Sequence, residues 1–248
     1  MADVAVASRV DVERRFFTSM VIAMAMFVFI GFAPSYFLQP AFGGLVTGRE
    51  VPPITPMVHL HAATGTAWML FLVFQAYLIR GKQHQRHMAN GLIGAGIALA
   101  VVIVGFAVAI GAGQAGRHPP GWTSTGFLLI PFSTATLFGA YVAAALWWRR
   151  KPDYHKRLML LATVSLLLPA GARISTYFFK GILPPGPPGG LLLTDLFIAA
   201  LVAYDLKKQG RLHPATLWGG GLMLLSQPGR LWLSQTDGWN ALAARLIG

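Results

Sequence analysis

The sequence contains no cysteine. That excludes a disulfide framework, a thiolate metal site, an iron-sulfur cluster and a cysteine nucleophile. Charge is scarce as well: 11% of the 248 residues are Asp, Glu, Lys or Arg, against about 25% in a soluble domain. Less than half the usual charge cannot cover a water-facing surface. There is no P-loop, no dinucleotide fingerprint, no serine triad and no internal repeat. What is abundant is apolar: 55% of positions are hydrophobic and the mean hydropathy is +0.57. The chain reads as an all-α integral membrane protein.

A membrane helix needs about 20 mostly apolar residues to cross a core of roughly 30 Å. Seven stretches meet or approach that length, at 16–38, 57–79, 88–111, 127–148, 158–179, 190–206 and 214–233. They leave no room for a separate soluble domain, so the expectation is one seven-helix transmembrane bundle. The first run is too long for a secretory h-region and lacks a small-residue cleavage pattern, so it reads as a retained helix.

Orientation follows from Lys and Arg, which are retained on the cytoplasmic side. Fourteen of the 20 fall at the N-terminus and in the loops after spans two, four and six. The N-terminus is therefore predicted cytoplasmic and the C-terminus outside, in a bacterial inner membrane. The net charge of +12 is explained by these short clusters, and no nucleic-acid partner is expected. The breakers Val51-Pro52-Pro53, Pro119-Pro120 and the Pro-Gly run at 183–190 fall on the other side and read as stiff connections. Gly91, Gly94, Ala95 and Ala98 on span three, and Gly219, Gly220 and Gly221 on span seven, are positions where backbones can approach closely in lipid.

Ionisable groups at membrane depth are costly, which makes them the first functional candidates. The topology sorts them into two layers. The outer one holds His59, His61, Arg173, Asp195 and Arg230. His61, Gly65, Trp68, Leu72 and Gln75 follow helical spacing, so His61 is predicted to face the bundle and His59 to point about 200° away. Arg173 follows His155 by five whole turns, which in one straight helix puts both on one face about 27 Å apart. The simplest reading of Asp195 with Arg173 and Arg230 is a buried ion pair locking spans five to seven. The functional alternative is an anion or quinone-headgroup pocket with His61 as donor.

The inner layer holds His87, His155, Asp205 and His213, each within a turn of a cytoplasmic helix end. Imidazole ligates both haem iron and zinc, and a carboxylate can complete a zinc site. The alternative is an interfacial set beside Arg86, Lys156, Arg157 and Arg211, in contact with lipid headgroups. His84 and His118 lie in polar or Pro-containing loops and read as solvated.

The segments His61-x-x-x-Gly65, Gln75, His87-x-x-x-Gly91 and Tyr154-His155-Lys156-Arg157 resemble, in order, the two-haem cytochrome b proteins of the ascorbate-reducible type. The resemblance covers about residues 57–180. It implies a haem held by His87 and His155, with an outer haem that would need His61 and a histidine on span four, which has none. Stretches such as 155–163 and 211–216 also resemble a broad group of uncharacterised bacterial multipass membrane proteins, a likeness that implies no reaction.

The residues support the haem reading in their own right. A b-type haem needs two opposed imidazoles, small residues to admit its disc and cations for its propionates. His87 and His155 supply the first, Gly91 and Gly94 the second, and Arg86, Lys156 and Arg157 the third. Three functions follow. One is an electron carrier with haem b, exchanging electrons with a quinol or a partner subunit near His61, Arg173 and Asp195. Another is a zinc-dependent membrane hydrolase using His87, His155, His213 and Asp205. The third is a non-enzymatic accessory subunit or transporter.

Overall fold

The computed structural model describes residues 2–42, 45–46, 49–50 and 54–248. The Val51-Pro52-Pro53 breaker lies outside them. Helix α1 (Ala2–Phe32) runs into a π-helical turn, Ala33–Phe37, and a 3-10 turn, Gln39–Phe42. Leu45–Val46 (β1) and Arg49–Glu50 (β2) form a two-residue antiparallel ladder. The remaining named elements are helices: α2 (Pro56–Arg80), α3 (His84–Ala89), α4 (Gly91–Gln114), α5 (Ser124–Trp147), α6 (Pro152–Ser165), α7 (Leu168–Tyr177), α8 (Pro187–Gln209), a second π-helix (Ala215–Gly220), α9 (Gly221–Leu233) and α10 (Asp237–Ile247).

Among the described residues, five helices are long and apolar enough to cross a membrane: Asp11–Phe37, α2, α4, α5 and α8. A sixth crossing is available only if α6 and α7 are taken together, and they are bent by 50° at their junction. The Pro214–Leu233 run forms the second π-helix followed by α9. At 13 residues, α9 reaches only about 20 Å by itself, short of the roughly 30 Å hydrocarbon core.

Local chemistry explains where the boundaries moved. Proline is tolerated in the first helical turn, where the missing N–H had no partner. Pro152 therefore opens α6 six residues before the expected start of span five, and this brings His155, Lys156 and Arg157 into the helix. In the same way Pro187 and Pro188 open α8 inside the stretch expected to be loop. Gly186 precedes them at φ 74°, and Gly210 ends α8 at φ 66°. Both are left-handed conformations that favour glycine.

The buried centre is α6. From Arg157 to Ser165 every residue is buried except Met159. Phe138 of α5 meets Trp68 of α2 edge to face, with ring centroids 4.9 Å apart, and Trp68 Nε1 donates to Thr163 Oγ1 of α6 at 3.3 Å. Two close backbone approaches between helices involve α7. A Cβ on Gly190 of α8 would lie 2.6 Å from the Ala172 nitrogen, and one on Gly31 of α1 would lie 2.7 Å from the Ala170 carbonyl oxygen. Of the small residues expected at seams, Gly94 is covered by Phe71 and Gly219 by Leu161, whereas a Cβ at Gly91 or Gly221 meets nothing within 4 Å.

Candidate functional site

Helix α2 ends at Arg80, and a tight turn through Lys82, which has φ 60°, reverses the chain into α3. This short helix sets His87 beside the end of α2, where Gln75 Nε2 donates to the His87 carbonyl oxygen at 3.3 Å. His155, in the first turns of α6, approaches from the other side. The two imidazole rings stand edge to face, with centroids 6.2 Å apart and planes at 81°.

The two rings are held differently. His155 Nδ1 lies 2.9 Å from the Ala145 carbonyl oxygen. A carbonyl only accepts, so Nδ1 carries the proton and Nε2 is the bare nitrogen, the arrangement typical of a metal-ligating histidine. Among the described residues His87 Nδ1 is buried without a hydrogen-bond partner, and so is the nearby Gln75 Oε1. Burial first, then the neighbouring His155 and His84, hold His87 below the ordinary imidazole value, against a smaller opposing effect of the backbone hydrogen bond with Gln75. It is therefore neutral at pH 7, the form that binds metal.

The other inner-layer residues do not join this pair. Asp205 is fully buried and belongs to an ion pair: its Oδ1 accepts from Arg157 Nη2 at 2.5 Å and from Nε at 3.1 Å. Its Oδ2 accepts from Thr216 Oγ1 at 2.6 Å and from the His213 backbone nitrogen at 3.1 Å. His213 packs against Tyr154, with centroids 4.6 Å apart, and its Nδ1 accepts from the Ala215 nitrogen. Burial, and next the Arg157 charge, keep His213 below its ordinary value. Among the described residues no group of three or more His, Asp or Glu could hold a metal ion.

This corrects two expectations. Asp205 and His213 are parts of a structural joint and are unavailable as zinc ligands, because their lone pairs already have partners. Arg157 is committed to Asp205, with Nη1 also donating to the Asp153 carbonyl oxygen at 3.0 Å, so it has no charge to spare for a propionate. Lys156 is similarly engaged, by Glu13 of α1 and by Asp153. Arg86 remains exposed at the rim, and its one described side-chain contact is to Gln83 Oε1 at 2.9 Å. Glu13, which also takes Lys208 and the Tyr204 hydroxyl, reads in the sequence as one residue of a solvated N-terminus beside Arg14 and Arg15.

At the opposite end the expected cluster divides into two. Asp195 does not pair with either arginine among the described residues. Its Oδ1 accepts from Gln227 Nε2 of α9 at 2.7 Å, an amide reaching the carboxylate before Arg230 does. Asp195, Thr194, Gln227, Arg230 and Ser165 line a small cleft beside the α6–α7 bend. Arg173 is elsewhere, held by Ser35 at the end of α1. The bend also removes the straight-helix relation expected between His155 and Arg173. On α2, Trp68, Leu72 and Gln75 are buried as the stripe requires, whereas His61 is exposed. His59 is exposed too, and its Nδ1 is 2.9 Å from the Tyr36 hydroxyl. Comparison with protein-family models, with curated proteins and with solved structures gave no match.

Proposed function

We propose that this chain is an electron-transfer protein of the bacterial inner membrane, with a single b-type haem held near the cytoplasmic face by His87 and His155. In this reading the second π-helix and α9 complete a seventh crossing, the N-terminus is cytoplasmic and the C-terminus is outside.

The observation that carries the reading is the separation of the two imidazoles. With centroids 6.2 Å apart, the two rings are close enough that both would be able to hold one metal ion. The donor set then favours haem over zinc. A porphyrin brings four of the iron's ligands, so two imidazoles complete the set, whereas zinc needs at least three protein ligands. Open space beside Gly91, one turn after His87, provides clearance, and Arg86 is a cation free to meet a propionate. The bound iron would supply one-electron transfer; the protein's part is to fix the two rings, exclude water with the apolar ends of α4 and α5, and hand electrons to a quinol or a partner subunit.

Metal analysis of detergent-purified protein tests this against zinc. About one iron per chain, extractable as haem, is expected. About one zinc and no iron would favour the hydrolase reading. The transporter reading is favoured by the Asp195 cleft beside a broken helix, since irregular backbone at membrane depth is tolerated where it lines a cavity. A metal-free protein that moves a solute in liposomes would support it.

A further inference from the structure

Arg173 is a cation held in place without a counter-ion among the described residues. Its Nε donates to Ser35 Oγ at 3.1 Å and its Nη1 to the Pro169 carbonyl oxygen at 3.0 Å, while the guanidinium lies 4.3 Å over the centroid of the Phe32 ring. Among the described residues it forms no salt bridge, and Asp195, its expected partner, is occupied by Gln227. Two of its five N–H groups are used. The second N–H of Nη1 and both of Nη2 have no protein acceptor among the described residues. His61 and Tyr177 are near enough to feel its charge.

An arginine at a membrane helix end ordinarily swings its head toward water. This one is clamped from two elements. The π-helical turn Ala33–Phe37 redirects the end of α1 so that Ser35 meets the guanidinium, a local irregularity of the kind frequent at functional sites. Pro169, one turn earlier in α7, offers the carbonyl that Nη1 reaches. A planar guanidinium fixed by its Nε edge and by one face keeps its remaining donors preorganised in a fork, the geometry that takes two oxygens of a carboxylate or phosphate.

We propose that Arg173 is an oxyanion-binding site at the end of the bundle away from His87 and His155, taking a phosphate or carboxylate group. The group would come from an anionic lipid headgroup or from a small soluble anion. The site does not depend on the haem reading.

The test follows thermal unfolding of the full chain with two probes. Sodium phosphate is titrated against chloride at constant ionic strength in neutral detergent, and phosphatidylcholine nanodiscs are compared with and without phosphatidylglycerol. The wild type is expected to be stabilised by at least one. Stabilisation by phosphate identifies a soluble ligand, and stabilisation by phosphatidylglycerol alone identifies a lipid. Arg173→Gln should weaken the response roughly tenfold or more, as loss of a charged hydrogen-bond donor does, and Arg173→Lys should be intermediate. Should Arg173→Gln fail to fold, Ser35→Ala serves instead: it keeps the charge but frees the guanidinium, and it should weaken the response several-fold. No stabilisation of the wild type by either probe, or an equal response in the variants, overturns the proposal.

Discussion

His87→Ala and His155→Ala are each expected to reduce haem content at least tenfold while leaving a folded protein. Losing even an outer partner of a metal ligand costs roughly 10- to 100-fold in affinity, and these substitutions remove a ligand outright. The fold should tolerate both. His155 makes one described hydrogen bond, to Ala145, worth about 0.5–1.5 kcal/mol, and His87 Nδ1 has no partner among the described residues. Haem per chain, read from absorbance after purification, is the measurement. His84→Ala and His213→Ala are the controls, because the former is exposed and the latter is committed to Ala215 and Tyr154. Full colour in both ligand variants would remove this assignment, and loss of colour in the controls would point to a different pair.

Asp205→Ala should cost far more in stability than any histidine substitution. It would leave Arg157, which is 1% exposed, without its buried carboxylate and with only the longer contact to the exposed Asp153 carboxylate, at 3.4 Å. Breaking a buried pair on one side costs about 3–5 kcal/mol. Across a chain of this size that lowers the unfolding midpoint by roughly 6–20 °C. The Thr216 hydroxyl and the His213 backbone N–H would lose their acceptor as well, which loosens the turn between α8 and α9. The double variant Arg157→Met/Asp205→Leu should recover much of the loss, since replacing both partners by apolar groups removes the uncompensated charge. Midpoints for the single and double variants decide this; an Asp205→Ala midpoint equal to wild type would mean that the pair is not the joint described above.

The sequence made the long apolar helices legible because length and hydropathy are properties of a single segment. The residues that α6 and α7 share with neighbours were harder to read. Nothing in Ser165-Leu166-Leu167-Leu168 announces a 50° bend, and Pro169 sits where a proline could equally have been absorbed into a first turn. Helix α10 escaped because Asp237–Ile247 is amphipathic and too short for a span. In the site, equal depth grouped His87 and His155, whose rings lie 6.2 Å apart. The same rule grouped Asp205 and His213 with them, because depth says nothing of which charge finds which partner. The competing cation was visible two residues beyond His155: Arg157 begins a mostly apolar run, where a lone guanidinium needs a carboxylate. At the other end, charge alone suggested Asp195 with Arg173, while the actual partner, Gln227, carries no charge and so gave no signal.

The visible spectrum of the purified wild-type protein, reduced minus oxidised, tests the central claim most directly. The expected result is the sharp-banded difference spectrum of a low-spin haem with two imidazole ligands, at about one haem per chain. A protein that is folded, purified without added chelator and colourless, with no reduced-minus-oxidised difference, would contradict it.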